Sequence, residues 1–106
     1  MTEAKTIPRT QPGHRSWASV ATPQPQRYMM QLCKHFQHRL PVEIDDTTGH
    51  IEFAMGRCDV AAGAGELVMT CSAADADALA QVQDVVARHL LRFAFRETLA
   101  VVWSPV

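Results

Sequence analysis

The sequence lacks a long apolar run, an excess of one charge and a cysteine framework. No apolar stretch approaches the roughly 18 residues that a membrane span needs, and the N-terminus lacks the apolar segment of a secretory signal. Ten basic residues against eleven acidic ones give no electrostatic argument for nucleic acid or an anionic membrane. Three cysteines without a CxxC pair indicate neither a disulfide framework nor a zinc knuckle. We therefore expect a cytoplasmic protein with free thiols and with no nucleic-acid or membrane partner.

The length and composition fit one domain with a single core. The chain has 106 residues, of which 47% are hydrophobic. Residues 1–15 mix Thr, Pro, Gln, Gly and charge with almost no apolar content, a composition that cannot offset the entropy of ordering. We predict a flexible N-terminal tail over residues 1–15 and one α+β domain over residues 16–106.

The most strongly patterned stretch runs from Asp75 to Glu97. Its apolar residues recur at steps of three and four: Leu79, Val82, Val86, Leu90 and Phe93. This spacing places them on one stripe of a helix and predicts that the stripe faces the core. The pattern predicts an amphipathic helix from Asp75 to Arg96.

An earlier helix is predicted from Pro25 to Arg39. Thr22 is a good N-cap residue, prolines are tolerated in a first helical turn, and Pro41 limits any extension. The apolar positions again follow helical spacing: Met29, Leu32, Cys33, Phe36 and Leu40.

Short alternating segments predict six strands around these helices. They are Ser16–Thr22, then Val42 with Ile44, Ile51 with Phe53, Cys58 with Val60, Leu67 with Met69 and Cys71, and finally Leu99 with Val101 and Trp103. Strands bracketed by helices favour an α+β two-layer sandwich, with both helices on one face of a mainly antiparallel sheet. A TATA-binding-protein-like or a ferredoxin-like arrangement fits this order.

Two histidines lie at the edges of the helical stripes. At 3.6 residues per turn, His35 and His89 occupy the same-handed flank of their helices, so antiparallel packing would bring them together. Tyr28 shares the flank of His35, and Arg92 can line the same seam. Partial burial and a neighbouring imidazole disfavour protonation, so we expect a neutral pair near pH 7. The predicted ligand-binding residues are Tyr28, His35, His89 and Arg92.

Metal chemistry has weaker support in the sequence. His35, His38 and His89 are the candidate ligands, and Cys33 lies near the first two in the chain. Helical geometry directs Cys33 inward and His38 outward, so these two cannot readily meet one ion. We predict no resident cofactor, and a metal ion or haem stays an open alternative.

Catalytic motifs are scarce. No Ser or Cys lies in a nucleophile elbow, and Asp45-Asp46 sits in a Thr/Gly turn of the kind that is solvated. Arg96 and Glu97 are interpreted as surface or helix-end charges. An enzyme is the less favoured class, and a small metal-dependent one would need three or more convergent ligands.

Three segments together resemble a bacterial family, domain-of-unknown-function family 2218. They are Arg27–His38, the hairpin Gly49–Gly56, and His89–Glu97 followed by Trp103. The similarity spans about Ser16 to Trp103. The resemblance implies a small cytoplasmic domain with no assigned activity, sometimes encoded beside or fused to siderophore-interacting flavin reductases. It supplies no catalytic residue.

Two hypotheses for function follow. The favoured one is a non-enzymatic binding or accessory domain with a small ligand or a protein partner. The resemblance alone links it to iron or siderophore handling and implies a siderophore-interacting flavoprotein as that partner. The alternative is a module that homodimerises through the uncovered sheet face. The residues expected on that face are Ala54, Val68, Thr70, Ala100 and Val102.

Overall fold

The computed structural model describes residues 13–106. In chain order the elements are β1 (His14–Ala21), α1 (Pro25–Gln37), β2 (Val42–Ile44), β3 (Thr48–Phe53), β4 (Gly56–Ala62), β5 (Glu66–Ala73), α2 (Ala76–Phe93) and β6 (Ser104–Pro105). The predicted order of strand, helix, four strands, helix and strand is confirmed. Neither helix in this range is both long and apolar enough to cross a bilayer.

The strands form one open antiparallel sheet in the order β2-β3-β4-β5-β1-β6. Hairpins join β2 to β5 in succession, and β1 then pairs with β5. Four strands separate the two helices, whereas the ferredoxin-like order has two. The element order is therefore nearer to the TATA-binding-protein-like alternative.

The register decides which face of the sheet is buried. Met69 on β5 pairs with Ala18 on one side and with Val60 on the other, and Val60 pairs in turn with Gly49. This row across four strands is buried throughout. Both helices contact these strands, and they bury Tyr28, Met29, Leu32 and Cys33 from α1 with Val82, Val86 and Leu90 from α2. The sheet and the two helices thus make a two-layer α+β sandwich.

Gly49 permits a close approach between α1 and the sheet. A Cβ at this position would overlap the sulfur of Cys33, which is fully buried on α1. Only glycine leaves room for that sulfur, so α1 lies directly on β3.

The first strand begins inside the predicted tail. His14 and Arg15 pair with Ala73 and Ser72 of β5 although both side chains are exposed. Backbone pairing with β5 keeps these two residues in the sheet. The amino-acid composition of a segment does not predict such pairing. Residues 1–12 of the predicted tail lie outside the described part of the chain.

The prediction of a final strand over Leu99, Val101 and Trp103 is wrong. These side chains are partly buried against the core and the residues between them are exposed, so the alternation itself is present. Pairing with β1 starts only at Ser104 and Pro105. Period-two alternation shows only that one side of an extended segment is buried. An extended segment that is not paired in a sheet can show the same alternation.

Leu90 and Leu91 are neighbours on α2 and offer a test of its buried face. Leu90 is 0% exposed and Leu91 is 43% exposed. Leu90→Ala should therefore lower the free energy of unfolding by about 2–5 kcal/mol, whereas Leu91→Ala should cost about 1 kcal/mol or less. Urea denaturation followed by circular dichroism measures both values. Equal losses would show that the buried face of α2 is misassigned.

Candidate functional site

The two helices run antiparallel and bring His35 and His89 together. Tyr28 meets Glu97 at one end of the interface, and seven residues later in α1 His35 meets His89. The two imidazole centroids are 4.8 Å apart, with their planes inclined by 43°. The juxtaposition predicted from the helical flanks is therefore present, and we call these two residues the histidine pair.

Phenylalanine rings hold the histidine pair in place. The His35 ring meets Phe36 edge-on at 5.0 Å and Phe93 at 5.6 Å between centroids. Phe36 also lies 4.9 Å from His89 and 5.1 Å from Phe53 on β3. Edge-to-face packing of this kind restricts ring rotation. The histidine pair thus packs against Phe36 and Phe93, and Phe36 packs in turn against Phe53 of the sheet. We call these three rings the aromatic floor.

The tautomer of neutral His89 follows from its hydrogen bond. Nδ1 lies 2.7 Å from the carbonyl oxygen of Val85, one turn earlier on α2. A carbonyl oxygen only accepts, so Nδ1 carries the proton and donates it. Nε2 of the neutral ring then keeps its lone pair for a ligand.

The pKa of His35 is lowered from its ordinary value. Partial desolvation is the largest cause, followed by the neighbouring cationic or potentially cationic side chains His89, His38, Arg92 and Arg39. His35 is exposed rather than half-buried as predicted, because it points out of the groove above Phe36 and Phe93. It is therefore accessible to a ligand and neutral at pH 7.

Hollows of different chemistry adjoin the pair. One, of about 270 Å³, is lined by Arg88, His89 and Arg92. Arg88 is paired with Asp84 at 2.9 Å, and within residues 13–106 no carboxylate lies within ion-pair distance of Arg92. Arg92 thus lines the hollow beside His89 and is close enough to help lower the pKa of His35.

The other hollow, of about 470 Å³, is largely apolar. It is lined by His35, Phe36, His38, Arg39, Leu40, Phe53, Met55 and Val85. Its one arginine, Arg39, follows the end of α1, and its apolar walls come from both helices, the sheet and the adjoining turns. A ligand with an apolar body and a negative charge fits this combination.

Tyr28 does not join the histidine pair. Seven helical residues separate it from His35, which is a rise of about 10 Å, and its hydroxyl donates instead to Glu97. That hydrogen bond, followed by burial, raises the pKa of Tyr28. Tyr28 therefore belongs to a separate site at the other end of the groove.

The interpretation of Glu97 as a surface or helix-end charge does not include its two hydrogen bonds. One carboxylate oxygen accepts from Tyr28, and the other accepts from the Thr22 hydroxyl at 3.0 Å. Glu97 lies beyond the end of α2, where helical periodicity gives no guide to side-chain direction. Nothing in the local sequence identifies this contact.

The sequence interpretation also does not include a polar cluster on the sheet face opposite the helices. His50 Nδ1 lies 2.5 Å from Asp59 Oδ1, and Arg57 Nε donates to the same oxygen at 2.8 Å. His50 and Asp59 are direct cross-strand partners. The alternation of β3 and β4, once joined in the right register, would have placed these side chains on one face.

The apolar patch expected on that face is smaller than predicted. Val68 and Thr70 lie there, with Trp17 directly opposite Thr70. The other three predicted members are outside the strands: Ala54 in the β3–β4 turn, and Ala100 and Val102 in the unpaired segment before β6.

Within residues 13–106 no three His, Cys, Asp or Glu side chains converge in a way that could hold a metal ion. Cys33 is fully buried, and burial raises the pKa of its thiol to about 11. His38 is exposed, so the inward and outward directions predicted for these two residues are observed. All three cysteines are free and buried.

The lowered pKa of His35 gives a pH-dependent prediction. Its ring protons should titrate in an NMR experiment with a midpoint below 6.5. The folded chain then holds fewer protons on His35 than the unfolded chain does, so this group's contribution to stability falls as the pH drops below 6.5. Arg92→Gln should raise the midpoint by removing a positive charge, and Arg15→Gln should leave it unchanged. A midpoint at or above 6.5 in the wild type would contradict the geometry.

Comparison with known proteins identifies the family. No curated protein matches the chain. The NMR structure of PA4090 from Pseudomonas aeruginosa is similar, with a TM-score of 0.75 and 38% sequence identity over 87% of this chain and 96% of that chain. A family model described as an uncharacterized protein conserved in bacteria (DUF2218) matches residues 17–104. The chain therefore belongs to this bacterial family, domain-of-unknown-function family 2218.

Proposed function

We propose that this domain is a non-enzymatic accessory module that binds a small ligand in the groove between α1 and α2. The observation that carries the proposal is the histidine pair, whose ring centroids are 4.8 Å apart above an aromatic floor. Nδ1 of His89 already donates to Val85, so Nε2 of His89 and the nitrogens of the exposed His35 ring are the groups that can take a ligand as partner. A ligand that engages both rings would supply those partners.

The chemistry of the groove limits what the ligand can be. A neutral imidazole can accept a hydrogen bond from a hydroxyl group or donate its lone pair to a borderline metal ion. Two histidines leave most of the coordination sphere of a metal to the ligand itself. The positive charge of Arg92 and Arg39 favours an anionic group, and the hollow beside Phe36 accommodates an apolar body. The proposed ligand is therefore a partly apolar anion, free or bound to a metal.

The iron connection extends this proposal and comes from the resemblance. The resemblance implies an association with siderophore-interacting flavin reductases, so ferric siderophores are the first ligands to try and such a flavoprotein is the candidate partner. Siderophores combine hydroxyl donors, negative charge and a bound metal ion, which are the features that the groove would accept. A cytoplasmic location is part of the proposal, since three free thiols suit a reducing compartment.

Homodimerisation through the uncovered sheet face is the second candidate. Trp17 is 42% exposed on that face, next to Val68 and Thr70. An exposed tryptophan beside apolar neighbours is typical of an interface. The polar cluster around Asp59 occupies the other half of the face and limits the apolar area.

Ligand titration tests the favoured function. Protein purified without an affinity tag is titrated with ferric ion, zinc, haem and a ferric catecholate siderophore, with binding followed by calorimetry and by NMR of the imidazole protons. At least one of these should bind to the wild type. His35→Ala/His89→Ala should weaken that binding about tenfold or more, because two hydrogen bonds or two metal ligands are lost.

His14→Ala is the matched control, since His14 is exposed on β1 away from the groove. It should bind like the wild type. Identical curves for the wild type and the double variant would remove the functional claim. A solution mass of twice 11.7 kDa that Trp17→Ser reduces to a single chain would instead favour the dimer.

A further inference from the structure

A larger hollow lies at the other end of the interhelix groove. It measures about 600 Å³ and forms where the chain leaves α2 beside the start of α1. Its functional side chains are Arg27, Tyr28, Phe93, Phe95, Arg96 and Glu97. Phe93 separates it from the histidine pair, because the same ring meets His35 at 5.6 Å between centroids. We call it the arginine hollow.

The carboxylate in the arginine hollow, Glu97, already accepts hydrogen bonds from other residues of the protein. Both oxygens of Glu97 accept hydrogen bonds, one from Thr22 and one from Tyr28. Tyr28 is only 6% exposed and Glu97 is half-buried, so this link is partly shielded from water. Glu97 thus serves to hold the end of α2 against the start of α1.

The two arginines of the hollow contact an amide oxygen and an aromatic ring. Arg27 donates to the side-chain oxygen of Gln24 at 3.2 Å, and the Arg96 guanidinium lies 5.4 Å from the Phe95 ring centroid. Within residues 13–106 no carboxylate lies within ion-pair distance of either guanidinium. Two positive charges against one internally bonded carboxylate leave the hollow with positive charge.

An aromatic wall stands beside the arginines. Phe95 is 74% exposed, more than any other large hydrophobic residue in the described part of the chain. Phe93 is partly buried and lines the same hollow. An exposed phenyl ring next to guanidinium groups that form no ion pair within residues 13–106 combines apolar surface with fixed positive charge.

We infer that the arginine hollow is a second ligand site, which binds a small carboxylate with an aromatic body. The carboxylate pairs with Arg27 and Arg96, because the guanidinium fork matches a carboxylate in two parallel hydrogen bonds. The aromatic ring covers Phe95 and contacts Phe93 in a stacked or edge-on arrangement. This site does not depend on the histidine pair, so either proposal can fail alone.

Benzoate is the probe, and the experiment uses the whole chain. Titration into ¹⁵N- and ¹³C-labelled protein should give saturable shifts in the rings of Phe93 and Phe95 and in the Nε–H groups of Arg27 and Arg96. Arg27→Gln and Arg96→Gln should each weaken binding about tenfold, the loss expected for a charged hydrogen bond. Added sodium chloride should weaken binding as well, because it screens exposed charges.

Arg15→Gln is the matched control, since Arg15 is exposed on β1 outside the hollow. It should leave benzoate binding unchanged, and native-like ¹⁵N spectra of every variant exclude loss of fold as the cause. Phe95→Ala should weaken benzoate but not inorganic phosphate, which has no ring. His35→Ala/His89→Ala should bind benzoate like the wild type.

Three outcomes would overturn the inference. The first is the absence of saturable shifts at Phe93 and Phe95. The second is an equal effect of Arg15→Gln and Arg27→Gln. The third is phosphate binding as tightly as benzoate, which would leave an oxyanion site without aromatic selectivity.

Discussion

The close approach of α1 to the sheet at Gly49 is the contact on which the proposed site depends. The Cys33 sulfur occupies the space that a side chain at Gly49 would fill. Protein interiors are packed to near crystalline density, so a group of that size cannot be added without displacement. His35 and Phe36 follow Cys33 by two and three residues, and Phe36 meets Phe53 of the same strand at 5.1 Å between centroids. The height of the histidine pair above the sheet is therefore set by a glycine.

A second glycine positions α2 in a similar way. A Cβ at Gly56 would lie 2.8 Å from a methyl group of Val82 and would overlap the backbone of Ser72. Gly49 and Gly56 belong to the two strands of one hairpin, β3 and β4. Both helices thus pack on one hairpin. The geometry of that hairpin determines the width of the groove between α1 and α2. The arginine hollow has a different support, because the bonds from Thr22 and Tyr28 to Glu97 hold the helix ends together.

The sequence predicts those features that follow from periodicity within one element. The apolar stripes define both helices, and their flanks place His35 opposite His89 once the helices run antiparallel. The sequence does not reveal features that depend on how the helices and strands are placed and paired relative to one another. Tyr28 shares a flank with His35 but lies about 10 Å further along the axis. Glu97 lies beyond a helix end, and the partnership of His50 with Asp59 requires the register of a hairpin. The alternation of Leu99 and Val101 reports burial but says nothing about pairing.

A double-mutant cycle on Cys33 and Gly49 tests the dependence of the fold on this contact most directly. The free energy of unfolding is measured in urea for the wild type, Gly49→Ala, Cys33→Ala and the double variant. In the wild-type background Gly49→Ala should cost about 1–3 kcal/mol, because the new methyl group meets the sulfur. In the Cys33→Ala background the nearest Cys33 atom is a Cβ at 3.8 Å, and an alanine is favoured over glycine in a strand. The same substitution should then become neutral or stabilising. An equal cost of Gly49→Ala in both backgrounds would contradict the account, because α1 would not be seated on this contact.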